Sequence, residues 1–430
     1  MTAAEACAGQ SADPGAVLLD PLTEPVSRVS GGWVAAIALA NLGMFMAYVG
    51  PLGVLLPDQV QAIAGAHRVV DFSWVSGLGA VVAIVVNPLA GALSDRTVSR
   101  LGRRRPWTLG GAVATAAALC LVGRLHSVPE IAASWCLAQV GVNAMQAGLA
   151  ASVPDRVPVA QRGTVSGWIG VAQTVSVVAA AALVTSVSNY SGYLLLAAGV
   201  VVLALPFVLA TADPPLPKAA QSDFALRAFA RSWRQAGSWS HDFRWAWVTR
   251  FLLVLGNAMA VVYLLYFVRR LRFSVLYPGH TAEQGLVVLL LAYTVAVLAT
   301  TVVAGRRSDR SGRRRRAVAL AGVVMAVAAL LVAASPTWPV LLASAPVLGA
   351  GFGIYLSIDQ ALITQVLPSA ADRARSLGVI SVASSAGQAV APAIAAPTVT
   401  YLGGFAILYL CVAVVVLLGS ASVCRIRSVP

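Results

Sequence analysis

Apolar stretches of about 20 residues recur along this chain, each long enough to cross the ~30 Å hydrocarbon layer of a bilayer as a helix. They fall at 32–55, 71–93, 107–125, 130–152, 164–187, 191–211, 246–268, 284–304, 317–334, 338–366, 376–399 and 402–422. In lipid, backbone polar groups must be satisfied inside the protein, so each run is expected to fold as a helix. The expectation is an all-α membrane protein of twelve spans. Composition agrees: 59% of the 430 residues are hydrophobic and 11% charged, where soluble domains carry about 25% charged residues. The longest polar break, 212–245, divides the spans six and six.

Thirty Lys and Arg against sixteen Asp and Glu give a net charge of +14. In a soluble protein that surplus would point to nucleic acid; its distribution here excludes that partner. With the N-terminus placed in the cytoplasm, 24 basic residues fall in inside segments, 5 in outside segments, and Arg250 inside a span. Basic residues collect on the cytoplasmic side, so both termini are expected there, in the cytoplasmic cell membrane. The expected organisation is a disordered cytoplasmic tail (1–30), a six-helix bundle (31–211), a cytoplasmic linker (212–245), a second six-helix bundle (246–424) and a short tail (425–430). The first 30 residues lack the basic start and apolar run of a signal peptide. In the linker, Leu226, Phe229, Ala230 and Trp233 share one helical face with Arg227, Arg231 and Arg234 off it. That pattern predicts an amphipathic helix lying on the anionic inner leaflet.

Five cysteines show no metal or CxxC spacing, and the four histidines fall in connecting segments, so neither metal nor cofactor is expected. No G-x-x-x-x-G-K-S/T loop is present, which makes an ion gradient the expected energy source rather than ATP. An enzyme embedded in the membrane would need clustered His, Asp or Glu at one depth. Asp359 stands nearly alone there.

The halves repeat. A shift of 214 residues lays Trp33 on Trp247, Gly91, Asp95 and Arg96 on Gly305, Asp309 and Arg310, and Gln146 and Pro154 on Gln360 and Pro368. One residue later in register, Gly163, Ser166 and Gln173 fall on Gly378, Ser381 and Gln388. Two parallel six-span halves are a transporter architecture, with the site between them near the midplane.

The loop closing span 2 runs Gly91, Asp95, Arg96, Arg100, Gly102, Arg103; its counterpart after span 8 runs Gly305, Asp309, Arg310, Gly312, Arg313. In each, a carboxylate ends a helix beside an arginine cluster. Such a carboxylate can pair with arginine or face the positive N-terminus of a neighbouring helix, and a contact made in one state only would act as a latch. The plainer reading is positive-inside charge with a helix cap. These loops resemble the G-x-x-x-D-R-x-G-R-K/R motif of the major facilitator superfamily. The first copy, with four extra residues, is similar to the sucrose and glycoside–pentoside–hexuronide branch. The resemblance implies two pseudo-symmetric six-helix bundles, a cytoplasmic latch at Asp95, Arg96, Asp309 and Arg310, and a sugar or glycoside as solute with proton symport.

Ionisable groups inside a span are functional candidates because each costs about 2.5–3.5 kcal/mol at mid-helix. Arg250 in span 7 and Asp359 in span 10 are the clear cases. They could pair across a cavity, with Asp359 taking up and releasing a proton, or form a fixed structural pair. Polar stripes mark one face each of four spans: Gln139, Asn143 and Gln146; Asn41 and Tyr48; Arg250 and Asn257; Tyr355 and Asp359. With Gln360, the repeat mate of Gln146, these amides and phenols could hydrogen-bond a polyhydroxylated solute, or serve as interhelical glue. The expected protein is a monomeric secondary transporter of a small organic solute. Proton-coupled efflux of a drug-like metabolite and uncoupled facilitation are the alternatives. The Gly-Pro pair of antiporters is absent between Gly163 and Ser188, which leans toward uptake.

Overall fold

Ser30 starts the first helix. Its Oγ accepts the Trp33 N–H at 3.2 Å, and α1 runs Gly31–Gly50. Pro51, with no N–H to donate, opens a single π-turn, Pro51–Leu55, before α2 continues as Leu56–Ala64. The first span is therefore longer than its apolar run suggests, and it continues through a π-turn. The first half continues with α3 (Arg68–Asp95), α4 (Arg105–Val122), α5 (Val128–Arg156), α6 (Arg162–Thr185) and α7 (Asn189–Ala210). The second half comprises α8 (His241–Val262), α9 (Leu264–Arg270), α10 (Ala282–Ser311), α11 (Arg314–Ala334), α12 (Trp338–Ile363), α13 (Arg373–Tyr401) and α14 (Phe405–Val423). The computed structural model describes residues 25–64, 68–211, 213, 240–262, 264–271, 277–278, 282–366, 373–402 and 404–428. The expected linker helix and most of the N-terminal tail lie outside these residues.

The described residues contain no strand. Ten helical stretches among them are long and apolar enough to cross a membrane. Outside that set are α5, of 29 residues, and α8, of 22. Both carry polar stripes: Gln139, Asn143 and Gln146 on α5, and Arg250 and Asn257 on α8. The second half starts at His241, five residues ahead of the expected apolar boundary.

Each half encloses its own apolar core, one around Met44, Trp135 and Tyr193, the other around Met259, Met325 and Tyr409. The packing is pseudo-symmetric: α1 packs on α6 and α7, and α4 on α5 and α7, as α8 packs on α13 and α14, and α11 on α12 and α14. Between halves, α3 crosses α13 and α10 crosses α6. Outward-facing valines and leucines such as Val81, Val113, Val287 and Val303 are exposed, the surface a chain offers to lipid.

One end of the bundle gathers the start of α1, the loops after α3, α5 and α10, the start of α8 and the C-terminus; we call it the basic end. The Gln161 side chain holds the start of α1 there, accepting from Val29 N–H at 2.9 Å and donating to its carbonyl at 3.1 Å. Asp242 does the same for the C-terminus, accepting the Arg427 and Ser428 N–H groups at 2.9 and 2.7 Å. Partial burial pushes its carboxyl up, but these bonds with Ser428 and Arg427 outweigh burial and hold it below its ordinary value.

Candidate functional site

A cavity of about 360 Å³ lies between the halves, lined by α1, α3, α5 and α6 on one side and α8, α12 and α13 on the other. Its size is at the small end of ligand sites. Nine of the expected residues line it: Asn41, Tyr48, Gln139, Asn143, Gln146, Arg250, Tyr355, Asp359 and Gln360. Asn257 does not. It sits one turn too far along α8 and accepts the Tyr293 hydroxyl of α10 at 3.1 Å, so it ties two helices of one half together.

Arg250 Nη1 lies 2.9 Å from Asp359 Oδ2, and Arg250 Nε donates to Ser384 Oγ of α13 at 2.6 Å. Asp359 is 5% exposed. An ion pair in such a place lowers the cost of burying either charge and makes each group dependent on the other. Opposite, the α5 amides form a ladder. Asn143 Nδ2 donates to the Gln139 carbonyl at 2.8 Å, while Asn87 Nδ2 of α3 donates to Asn143 Oδ1 at 3.0 Å and to Gln146 Oε1 at 3.3 Å. Tyr48 stacks on Trp135 with ring centroids 6.5 Å apart, which braces one corner.

Sequence reasoning passed over several lining residues: Gln173, Gln388, Ser381, Ser384, Ser385 and the rings of Phe45 and Phe352. The signal for some of them was present. Gln173 pairs with Gln388 in the internal repeat, and both reach the cavity from the crossing helices α6 and α13.

The two motif loops lie at the basic end and differ from each other. Gly102 and Gly312 have φ of 99° and 66°, which explains a glycine in each turn. In the second copy, Asp309 reaches across the boundary. It accepts from Gly163 N–H at 2.8 Å, Thr164 N–H at 2.7 Å and Thr164 Oγ1 at 2.8 Å, capping α6 from outside its own half. Arg314 donates to Asp309 at 3.2 Å, to the Ala361 carbonyl at 2.9 Å and, across the boundary, to the Val159 carbonyl. Arg162 reciprocates from the first half, donating to the Thr364 carbonyl at 3.4 Å. Neither Arg162 nor Arg314 stood out in the sequence, one being solitary and the other one of four consecutive arginines. Arg310, expected in the latch, and Arg313 of the same motif loop are exposed.

In the first copy, Asp95 Oδ1 pairs with Arg103 at 2.9 Å and Arg104 at 2.8 Å, and Arg104 Nε pairs with Asp155 at 2.8 Å. Burial lowers the affinity of Arg104 for its proton, yet Asp155 and Asp95 more than compensate and hold it above its ordinary value. Arg96 turns back to the Ala92 carbonyl of its own helix at 2.8 Å. Glycines allow the close crossings beside both loops: a Cβ on Gly305 would strike the Gly163 carbonyl oxygen, and one on Gly378 would come within 2.5 Å of Pro88 Cα.

A family model described as Major Facilitator Superfamily matches residues 29–279 and 279–430. Among curated proteins, a sucrose transport protein of Oryza sativa subsp. japonica is 38% identical over 69 residues, 16% of this chain and 12% of that protein. The general alpha-glucoside permease of Schizosaccharomyces pombe is 25% identical over 166 residues, 35% of this chain and 30% of that one. The chain thus spans well under half the length of these relatives. Among solved structures, the human organic anion transporter MFSD10 superposes with a TM-score of 0.72 at 19% identity, covering 91% of this chain and 99% of that one. The proton:xylose symporter XylE bound to 6-bromo-6-deoxy-D-glucose gives 0.66 at 14%, covering 91% and 95%.

Proposed function

The chain belongs to the Major Facilitator Superfamily, and from that premise we propose that this multi-pass membrane transporter moves a sugar or glycoside by alternating access around the central cavity, coupled to protons at Asp359. The observation that carries the reading is the Arg250–Asp359 pair, 2.9 Å apart and facing a cavity where amides, hydroxyls and aromatic rings alternate with aliphatic side chains such as Met44, Val142, Ile169, Val254 and Leu356. Such walls suit a neutral polyhydroxylated solute: amides donate and accept, and rings stack on the apolar faces of a pyranose. The sucrose and alpha-glucoside relatives support the same class of solute.

The coupling follows from electrostatics. Arg250 lying against Asp359 favours the ionised carboxylate. Arg250, Asp359 and Ser384 all belong to the second half, and Arg250 holds both partners at once. A shift of α8 against α12 during the cycle that withdraws Arg250 leaves a buried carboxylate without its counter-charge, and it then takes up a proton. Asp309 on the α6 N-terminus, with the reciprocal grips of Arg162 and Arg314, closes the basic end, which in this reading faces the cytoplasm with both termini, as the bias of basic residues favours. This arrangement corresponds to a state shut toward the cytoplasm.

The test is uptake of radiolabelled sucrose, maltose and methyl α-glucoside into proteoliposomes under an imposed pH gradient. Accumulation above equilibrium that a protonophore collapses is the expected result. Equilibration without accumulation would mean an uncoupled facilitator, and gradient-driven expulsion would mean efflux; either overturns symport.

A further inference from the structure

Asn87 belongs to none of the polar stripes of the cavity helices, yet it is 5% exposed and sits on α3 against the cavity wall. Its hydrogen bonds form a chain whose direction is set at one end. The Gln139 carbonyl can only accept, so the Asn143 group that meets it at 2.8 Å is the NH2. Asn143 Oδ1 then faces Asn87 and requires a donor, which makes the Asn87 group at 3.0 Å its NH2. The same NH2 meets Gln146 at 3.3 Å, so Gln146 turns its oxygen toward α3. Gln146 lines the cavity and is half-buried. With its oxygen engaged, the group it offers inward is Nε2, a donor.

We infer that Asn87 is a specificity-determining positioning residue: through Asn143 and Gln146 it obliges the solute to present a hydrogen-bond acceptor to the Gln146 NH2. The inference rests on the reading of the cavity as a sugar site. A hydroxyl meets the requirement, and carbon-bound fluorine meets it weakly, having lone pairs and no proton. A methylene does not meet it. Without Asn87 the Gln146 amide can rotate and offer its carbonyl, which welcomes a hydroxyl but repels fluorine.

The experiment measures KM for sucrose, maltose and methyl α-glucoside and for their monodeoxy and monofluoro derivatives in proteoliposomes. The wild-type protein should accept fluorine at one hydroxyl position where it rejects the deoxy sugar. In Asn87→Ala the ratio of fluoro to parent KM at that position should rise about tenfold, the worth of one hydrogen bond. A purely structural defect would raise KM for all derivatives alike and would overturn the inference. Gln146→Glu, which keeps Asn87 and replaces the inward donor with an acceptor, should give the same inversion and covers the case in which Asn87→Ala does not fold. If Gln146→Ala leaves transport of all three sugars unchanged, the site reading itself fails, and the inference with it. If Gln146→Ala abolishes uptake while neither Asn87→Ala nor Gln146→Glu alters the fluoro ratio, the inference alone fails.

Discussion

Asp309 Oδ1 lies 2.8 Å from the Gly163 backbone nitrogen, so a carboxylate at the end of α10 caps a helix of the opposite half. Removing its charge should weaken closure of the basic end. A charged cap is worth about 1–2 kcal/mol, a factor of about 5–30 in the ratio of closed to open states. Asp309→Asn should therefore raise the labelling rate of a cysteine placed at Ser381 by a membrane-impermeant reagent added from that side.

Asp95→Asn should act differently. Its partners Arg103 and Arg104 are buried in its own half, and breaking a buried pair costs about 3 kcal/mol or more. The expected outcome is a lower Tm, read by thermal unfolding in detergent, with a smaller change in labelling at Ser381 than Asp309→Asn produces.

Asp359→Asn should abolish gradient-driven accumulation and leave counterflow exchange running, because the cavity keeps its amides while the titrating group is gone. Transport assays with and without a pH gradient separate the two. Accumulation by the variant would remove Asp359 from the coupling role.

Gly305→Val should lock the basic end open. The added branched side chain would collide with the Gly163 carbonyl, and backbone has little room to give. Labelling at Ser381 should become fast and transport should fall by at least about tenfold. Gly312→Val serves as the control for a strained turn, since its Cβ would meet open space.

Asn257→Ala should change KM little, in contrast to Gln146→Ala. Asn257 accepts the Tyr293 hydroxyl inside the second half, and the loss of such a bond costs about 1–3 kcal/mol of stability. Parallel KM and Tm measurements distinguish the two residues.

Much of this was legible from the chain. Apolar run length marks helices, and the 214-residue repeat anticipates the matched crossings of α3 with α13 and α10 with α6. Polar residues at helical spacing point to the cavity because their cost in lipid leaves few other places for them. Asn257 shows the limit: it shares a face with Arg250 by spacing, but seven residues carry it about 10 Å along the helix, past the cavity and onto Tyr293. Asn87 shows the opposite limit. A lone amide before a proline has no periodicity to announce it, and its role exists only once α3 lies beside α5. The divergence of the two motif loops was also hidden. Their sequences align, yet Asp95 turns to its own half while Asp309 crosses, a choice made by tertiary packing.

The partners of Asp309 on α6 include two main-chain N–H groups, those of Gly163 and Thr164. A main-chain donor is present whatever side chain the residue bears. Substituting the Thr164 side chain would remove one of the three bonds and leave the other two. Proline at 164 would remove a donor outright, and any residue larger than glycine at 163 would stand in the way. The receiving surface of this contact is therefore nearly indifferent to sequence drift in chemistry but intolerant in size, so its history in related chains should be written in the volume of residue 163 rather than in its polarity.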